Sequence, residues 1–122
     1  MKALVVDDSR AMRVIIRNIL TGIGYEVFEA GHGGAALARL AEVGATDVAL
    51  VDWNMPEMNG FEFVQRVRQQ RAYDAMRIVM VTTEAEMEQM TKALEAGAND
   101  YVMKPFTADV IREKVSQVGN GL

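Results

Sequence analysis

Three aspartates, Asp7, Asp8 and Asp52, each close a short apolar run, in "VVDDS" and "VDWNMPEMNG". Two further runs close on other chemistry: "VMVTT" on Thr82 and Thr83, and "YVMK" on Lys104, with Pro105 after it. If the ends of these runs meet, three carboxylates converge with a hydroxyl and an ammonium. Carboxylates that close repel one another, and a hard divalent cation with oxygen ligands relieves the repulsion, so magnesium, Mg²⁺, is the expected metal. A Mg²⁺ ion, a lysine and a threonine hydroxyl around one carboxylate suit a phosphoryl group carried on that carboxylate. Asp52 is then the nucleophile, with Thr82 and Lys104 beside it.

The elements that must position these groups follow from hydrophobic periodicity. "KALVVD", "YEVFEA", "DVALVD", "RIVMVT" and "YVMK" read as five strands, and helices lie between them. The first helix follows Ser9 as N-cap, sets Met12, Ile15, Ile16, Ile19 and Leu20 on one face, and meets Gly22 and Gly24 at its end. The others run from Ala35 to Val43, from Phe61 to Gln69 after Asn59, from Glu86 to Ala96, and from Thr107 to Val118. Strands one, three and four are almost purely apolar rather than alternating, as in parallel strands covered on both faces. The expected fold is α/β, a doubly wound sandwich of five βα units with a parallel sheet. In such a sheet ligands bind at the carboxyl ends of the strands, where the acids, Thr82 and Lys104 all stand.

A chain of 122 residues has the size of one domain, expected to span 1–122 with no output domain and with "GNGL" as a loose tail. The net charge of -4 argues against direct nucleic-acid binding, which rests on clustered lysine and arginine. With no cysteine there is no disulfide and no thiolate metal site. No apolar stretch is long enough to enter a membrane and the start does not read as a signal peptide, so a cytoplasmic location is expected.

Each group also has a plain structural role available. Asp8 can begin a helix, Thr83 can cap the one that follows it, and a lysine before proline is ordinarily solvated. Trp53 is expected to be exposed beside the site, as a partner contact or as loop packing, and His32, the only histidine, to lie at the surface. Met12, Met80 and Met103 fall at core positions, whereas Met87 and Met90 are candidates to meet a partner.

The stretches "VVDDS", "VDWNMPEMNG", "VTTEAE" and "AGANDYVMKPF" occur in one order, and in them the chain resembles the receiver domains of two-component response regulators, the chemotaxis type that acts on the flagellar motor among them. The resemblance spans nearly the whole chain. It implies a flavodoxin-like sheet in the order 2-1-3-4-5, Asp52 as phosphoacceptor, Asp7 and Asp8 as the acidic metal pair, and the backbone carbonyl of Asn54 as a further Mg²⁺ ligand. It also implies that Lys104 binds a phosphoryl oxygen, that the Lys104-Pro105 bond is cis, and that Thr82 and Tyr101 form the switch. Asn54 and Glu84 take the positions that tune hydrolysis of the phosphoryl group. The implied partners are a histidine kinase, a downstream protein target such as the flagellar motor switch, and a phosphatase.

The output face implied by the family lies on the fourth helix, fifth strand and fifth helix, here Ala85, Met87, Met90, Tyr101 and Lys114. Flagellar-type members often carry lysines where this chain has Glu84, Glu86 and Glu88, a departure at the partner face. A phosphorelay or phosphate-sink receiver would use the same site residues with other partners. A small phosphohydrolase working through an aspartyl-phosphate usually places its nucleophile after strand one with a second aspartate two residues on. Here two adjacent aspartates follow strand one and Asn54 follows Asp52, so a signalling domain rather than an enzyme is expected. An inert binding module would lack one of the acids, Thr82 or Lys104, and none is missing.

Overall fold

A computed structural model describes residues 1–119; most of the expected "GNGL" tail lies outside the described residues. The elements alternate as β1 (Lys2–Val6), α1 (Arg10–Gly22), β2 (Glu26–Ala30), α2 (Gly33–Val43), β3 (Val48–Asp52), α3 (Gly60–Arg68), β4 (Arg77–Thr82), α4 (Met90–Ala96), β5 (Asp100–Met103) and α5 (Ala108–Gly119). All strand pairs are parallel and the sheet order is β2-β1-β3-β4-β5, as the family resemblance implied. Every residue of β3 is buried, as expected of a strand covered on both faces.

Alternation along β1 sends Leu4 and Val6 into one core layer and Ala3 and Val5 into the other. The first layer is closed by α2, α3 and α4 through Ala36, Leu40, Phe63, Val64, Val67, Met90 and Ala93. The second is closed by α1 and α5 through Ile16, Leu20, Ile111 and Val115. The chemistry-bearing residues stand at the carboxyl edge of the sheet, between the two layers.

Several expectations are corrected. The fourth helix begins at Met90, not Glu86, because Glu84–Gln89 forms tighter 3-10 turns first. Met90 itself is 2 % exposed and belongs to the core, which leaves little of it at the surface for a partner to meet. Met103, expected inside, is 39 % exposed, since it is the last residue of the edge strand β5. Ile15 stands 48 % exposed at the rim of the α1 stripe, while Ile16 and Leu20 are buried. His32 is exposed and serves as the N-cap of α2, where its Nδ1 accepts the Ala35 N–H at 3.1 Å.

At the opposite edge from the site, Arg68 ties three connections together. Its guanidinium donates to the carbonyls of Gly97, Tyr73 and Met76 at 3.0, 2.8 and 2.7 Å and to Asn99 Oδ1 at 3.2 Å. Gly97 makes room for it: with φ +124° the residue favours glycine, and a Cβ there would lie 2.6 Å from the Arg68 stem. Burial lowers the Arg68 pKa, yet the ring of carbonyl acceptors fits only a cation. Arg68→Met strands those carbonyls and is expected to cost about 2–4 kcal/mol in urea unfolding.

Candidate functional site

Asp7 follows β1 directly and its N–H continues the sheet, donating to Ala30 O at 3.1 Å. One carboxylate oxygen, Oδ1, accepts the Ser9 N–H at 2.8 Å, in the loop that Ser9 then closes by capping α1. Asp52 is the last residue of β3 and is 5 % exposed. Asp8 is exposed at the mouth. Carboxylate oxygens of Asp7, Asp8 and Asp52 all lie within 4.8 Å of one another.

One cation reaches into this cluster. Lys104 Nζ donates to Asp52 Oδ1 at 3.0 Å and stands 3.6 Å from Asp7 Oδ2. The Lys104-Pro105 peptide is cis, as implied by the resemblance. Burial pushes the Asp52 carboxyl up to about 6; the hydrogen bond and charge of Lys104 oppose the rise, and the charges of Asp7 and Asp8 add to it. Burial also disfavours the Lys104 ammonium, but its hydrogen bond to Asp52 and the two carboxylate charges outweigh that and raise its pKa.

One lysine does not neutralise three acids, and Asp7 Oδ2 is buried with no hydrogen-bond partner. A buried carboxylate oxygen without a partner is costly, and here it faces two other carboxylates. This all-oxygen donor set fits a hard divalent cation, which would take up the orphaned oxygen.

The loop after Asp52 is held close by a glycine. Gly60 starts α3 and its N–H donates to Trp53 O at 2.8 Å, while a Cβ at this residue would meet Asp52 O at 2.8 Å and Trp53 Cα at 3.1 Å. The helix therefore packs on the backbone that carries Asp52. That packing also corrects the expectation for Trp53, which is 6 % exposed and stacks at a tilt on Phe61 with ring centres 6.3 Å apart. Asn54 is exposed on the same loop.

Thr82 ends β4 and is fully buried, and its hydroxyl lies 3.3 Å from Glu86 Oε1 and 3.3 Å from Thr83 O. Glu84 and Ala85 are exposed and Met87 is half-buried on the 3-10 turns that follow. Tyr101 is half-buried on β5, with Lys114 Nζ 5.8 Å from its ring centre and hydrogen-bonded to both Asp100 oxygens at 3.1 and 3.0 Å.

Two contributors escaped the sequence. Arg13 Nη1 donates to Asp7 O at 2.7 Å, and Glu29 holds Arg13 and Arg17 at 3.3 and 2.7 Å. Glu86 gathers the hydroxyls of Thr82 and Thr83 and the Thr83 N–H on one carboxylate oxygen. The Thr83-x-x-Glu86 spacing was the readable signal for the second; a helical arginine gave none for the first.

A family model described as the response regulator receiver domain matches residues 3–116. The chain belongs to the response regulator receiver family. It is 50 % identical over 119 residues to a chemotaxis protein CheY homolog of Campylobacter jejuni, covering 97 % of this chain and 92 % of that one. It is 48 % identical to the chemotaxis protein CheY1 of Helicobacter pylori, covering 97 % and 96 %. Among solved structures, the chemotaxis response regulator CheY4 of Vibrio cholerae superposes with a TM-score of 0.88 at 39 % identity, over 96 % of this chain and 97 % of that one. The receiver is thus a signalling domain of CheY-like type, and no helix among its described residues is long and apolar enough to cross a membrane.

Proposed function

We propose that this receiver accepts a phosphoryl group on Asp52 from a histidine kinase, with Mg²⁺ bound by Asp7, Asp8, Asp52 and the Asn54 carbonyl, and relays the signal through a protein contact in chemotaxis. The observation that carries this reading is the buried Asp52 carboxylate, hydrogen-bonded to Lys104 and within 4.8 Å of two further acids, one of them with an orphaned oxygen. When bound, Mg²⁺ would offset the negative charge that gathers as a phosphoryl group meets three carboxylates.

The residues of the chain divide the remaining work. An Asp52 oxygen attacks phosphorus as the kinase's phosphohistidine P–N bond breaks, and the freed histidine takes up a proton. Lys104, 3.0 Å from Asp52, moves its hydrogen bond to a phosphoryl oxygen. The Thr82 hydroxyl turns to another, and Tyr101 follows into the space that Thr82 leaves. This shift in population alters the face carrying Ala85, Met87, Tyr101 and Lys114. Water then attacks phosphorus, releasing inorganic phosphate and restoring the carboxylate. Asn54 and Glu84, both exposed, set how easily that water arrives, and a phosphatase assists. The names of the relatives support chemotaxis as the pathway; a flagellar motor switch as the target and a cytoplasmic place of action follow from the family resemblance.

Trp53, buried one residue from Asp52, serves as the reporter for a test. Mg²⁺ is expected to change its fluorescence, and beryllofluoride, a phosphoryl mimic, to change it further in wild type but not in Asp52→Asn. No response to either reagent in folded wild-type protein would contradict the proposal.

A further inference from the structure

Resting on that reading, the hydrogen bonds around Thr82 define a second element of the switch. Thr82 is fully buried at the end of β4, and among the described residues no hydrogen bond joins it to Asp52. Its hydroxyl points instead along the chain, 3.3 Å from Glu86 Oε1. The same oxygen accepts the Thr83 N–H at 3.0 Å and the Thr83 hydroxyl at 3.0 Å. We infer that Glu86 is a positioning residue that holds the Thr82 hydroxyl away from Asp52 in the resting receiver, and so sets how readily the site takes up a phosphoryl group.

A hydroxyl has one proton to donate. In the resting arrangement that proton goes to Glu86 or to Thr83 O; in the active one it goes to a phosphoryl oxygen on Asp52. A bond present only in the resting state lowers the competent fraction, and apparent affinity for a phosphoryl mimic falls by that fraction. A carboxylate acceptor strengthens such a bond, but 3.3 Å is long for a hydroxyl and a carboxylate, so the effect is moderate. Removing it is expected to tighten binding of the mimic about three- to tenfold.

Glu86 also sits on the 3-10 turns Glu84–Gln89 that lead into α4, so its carboxylate joins the Thr82 hydroxyl to the segment bearing Ala85 and Met87. When Thr82 leaves, that carboxylate loses one of its three donors at the start of the proposed partner face. The charge of the glutamate alone would give a different signature. A negative charge near the site weakens anion binding whatever Thr82 does, and the same would hold for Glu88, which is exposed two residues on.

The test is a beryllofluoride titration of the whole chain in saturating Mg²⁺, read by Trp53 fluorescence, on wild type, Glu86→Ala, Glu86→Gln and Glu88→Gln. The two Glu86 variants are then repeated in a Thr82→Ala background. Glu86→Ala is expected to tighten binding about three- to tenfold, Glu86→Gln by less because its amide oxygen remains a neutral acceptor, and Glu88→Gln hardly at all. In the Thr82→Ala background the Glu86 effect is expected to vanish, since the coupling runs through the hydroxyl. Should Glu86→Ala loosen the turns, Glu86→Gln keeps an acceptor for the Thr83 N–H and carries the test alone. Unchanged or weaker binding in the Glu86 variants overturns the inference. So does a gain of the same size in Glu88→Gln or in the Thr82→Ala background. Failure of wild type to bind beryllofluoride overturns the proposed function itself, a separate outcome.

Discussion

Asp52→Asn is expected to abolish phosphoryl incorporation and, in the same protein, to raise metal-free stability at pH 8 by about 2–3 kcal/mol. The carboxyl has a folded pKa of about 6 against an ordinary 3.8, so the folded state holds its proton more tightly than the unfolded state. The stabilising contribution of this group is therefore complete below about pH 4 and is lost as pH rises through about 6. Each pKa unit corresponds to about 1.4 kcal/mol, which gives about 3 kcal/mol of destabilisation once Asp52 is ionised. Asparagine keeps the shape without the charge. Urea unfolding in EDTA should find the two proteins equally stable near pH 4 and the variant ahead at pH 8. Mg²⁺ should narrow the gap, because it stabilises the three-acid protein by mass action and finds fewer charges in the variant. Equal stability at both pH values would contradict the electrostatic description of the site.

Lys104→Met gives the converse case. The variant leaves Asp52 and Asp7 without their one cation, and removing one partner of a buried ion pair strands the other charge. Metal-free stability at pH 8 is expected to fall by about 2–4 kcal/mol, the cost being limited because Asp52 can retain its proton instead. The Asp52 share of the loss should return as pH falls below about 6, where that carboxyl takes up its proton. The affinity for Mg²⁺ moves the other way: with the competing ammonium gone, the acids bind the ion more tightly, while affinity for beryllofluoride drops because a phosphoryl oxygen loses its donor. Opposite changes in the two affinities, measured by Trp53 fluorescence, separate this role from a general loss of structure, which would weaken both.

What the sequence disclosed was whatever rests on apolar runs and their ends. Val48–Val51 and Ile78–Val81 are apolar without a break because helices cover both faces, and the residue after each run is fixed at the carboxyl edge of the sheet. The apolar runs thereby bring Asp7, Asp52, Thr82 and Lys104 to one edge of the sheet. Trp53 was misread because its burial depends on Gly60, distant by a loop, letting α3 settle on the strand end. The start of α4 was misread because the Thr83 and Glu86 pair opens a 3-10 turn before α-helical bonding takes over, and the shifted start carries Met90 into the core. Arg68 and Arg13 stand on helices, and their partners are carbonyls brought in by other loops, which no local pattern records.

The most direct test of the central claim is intact-mass measurement of the protein incubated with acetyl phosphate in Mg²⁺ or in EDTA, followed by borohydride reduction and peptide mapping. The account requires one added phosphoryl group, dependent on Mg²⁺, with the reduction product at Asp52 and none in Asp52→Asn. An adduct on another residue, an adduct formed equally in EDTA, or steady release of phosphate with no adduct at all would contradict it.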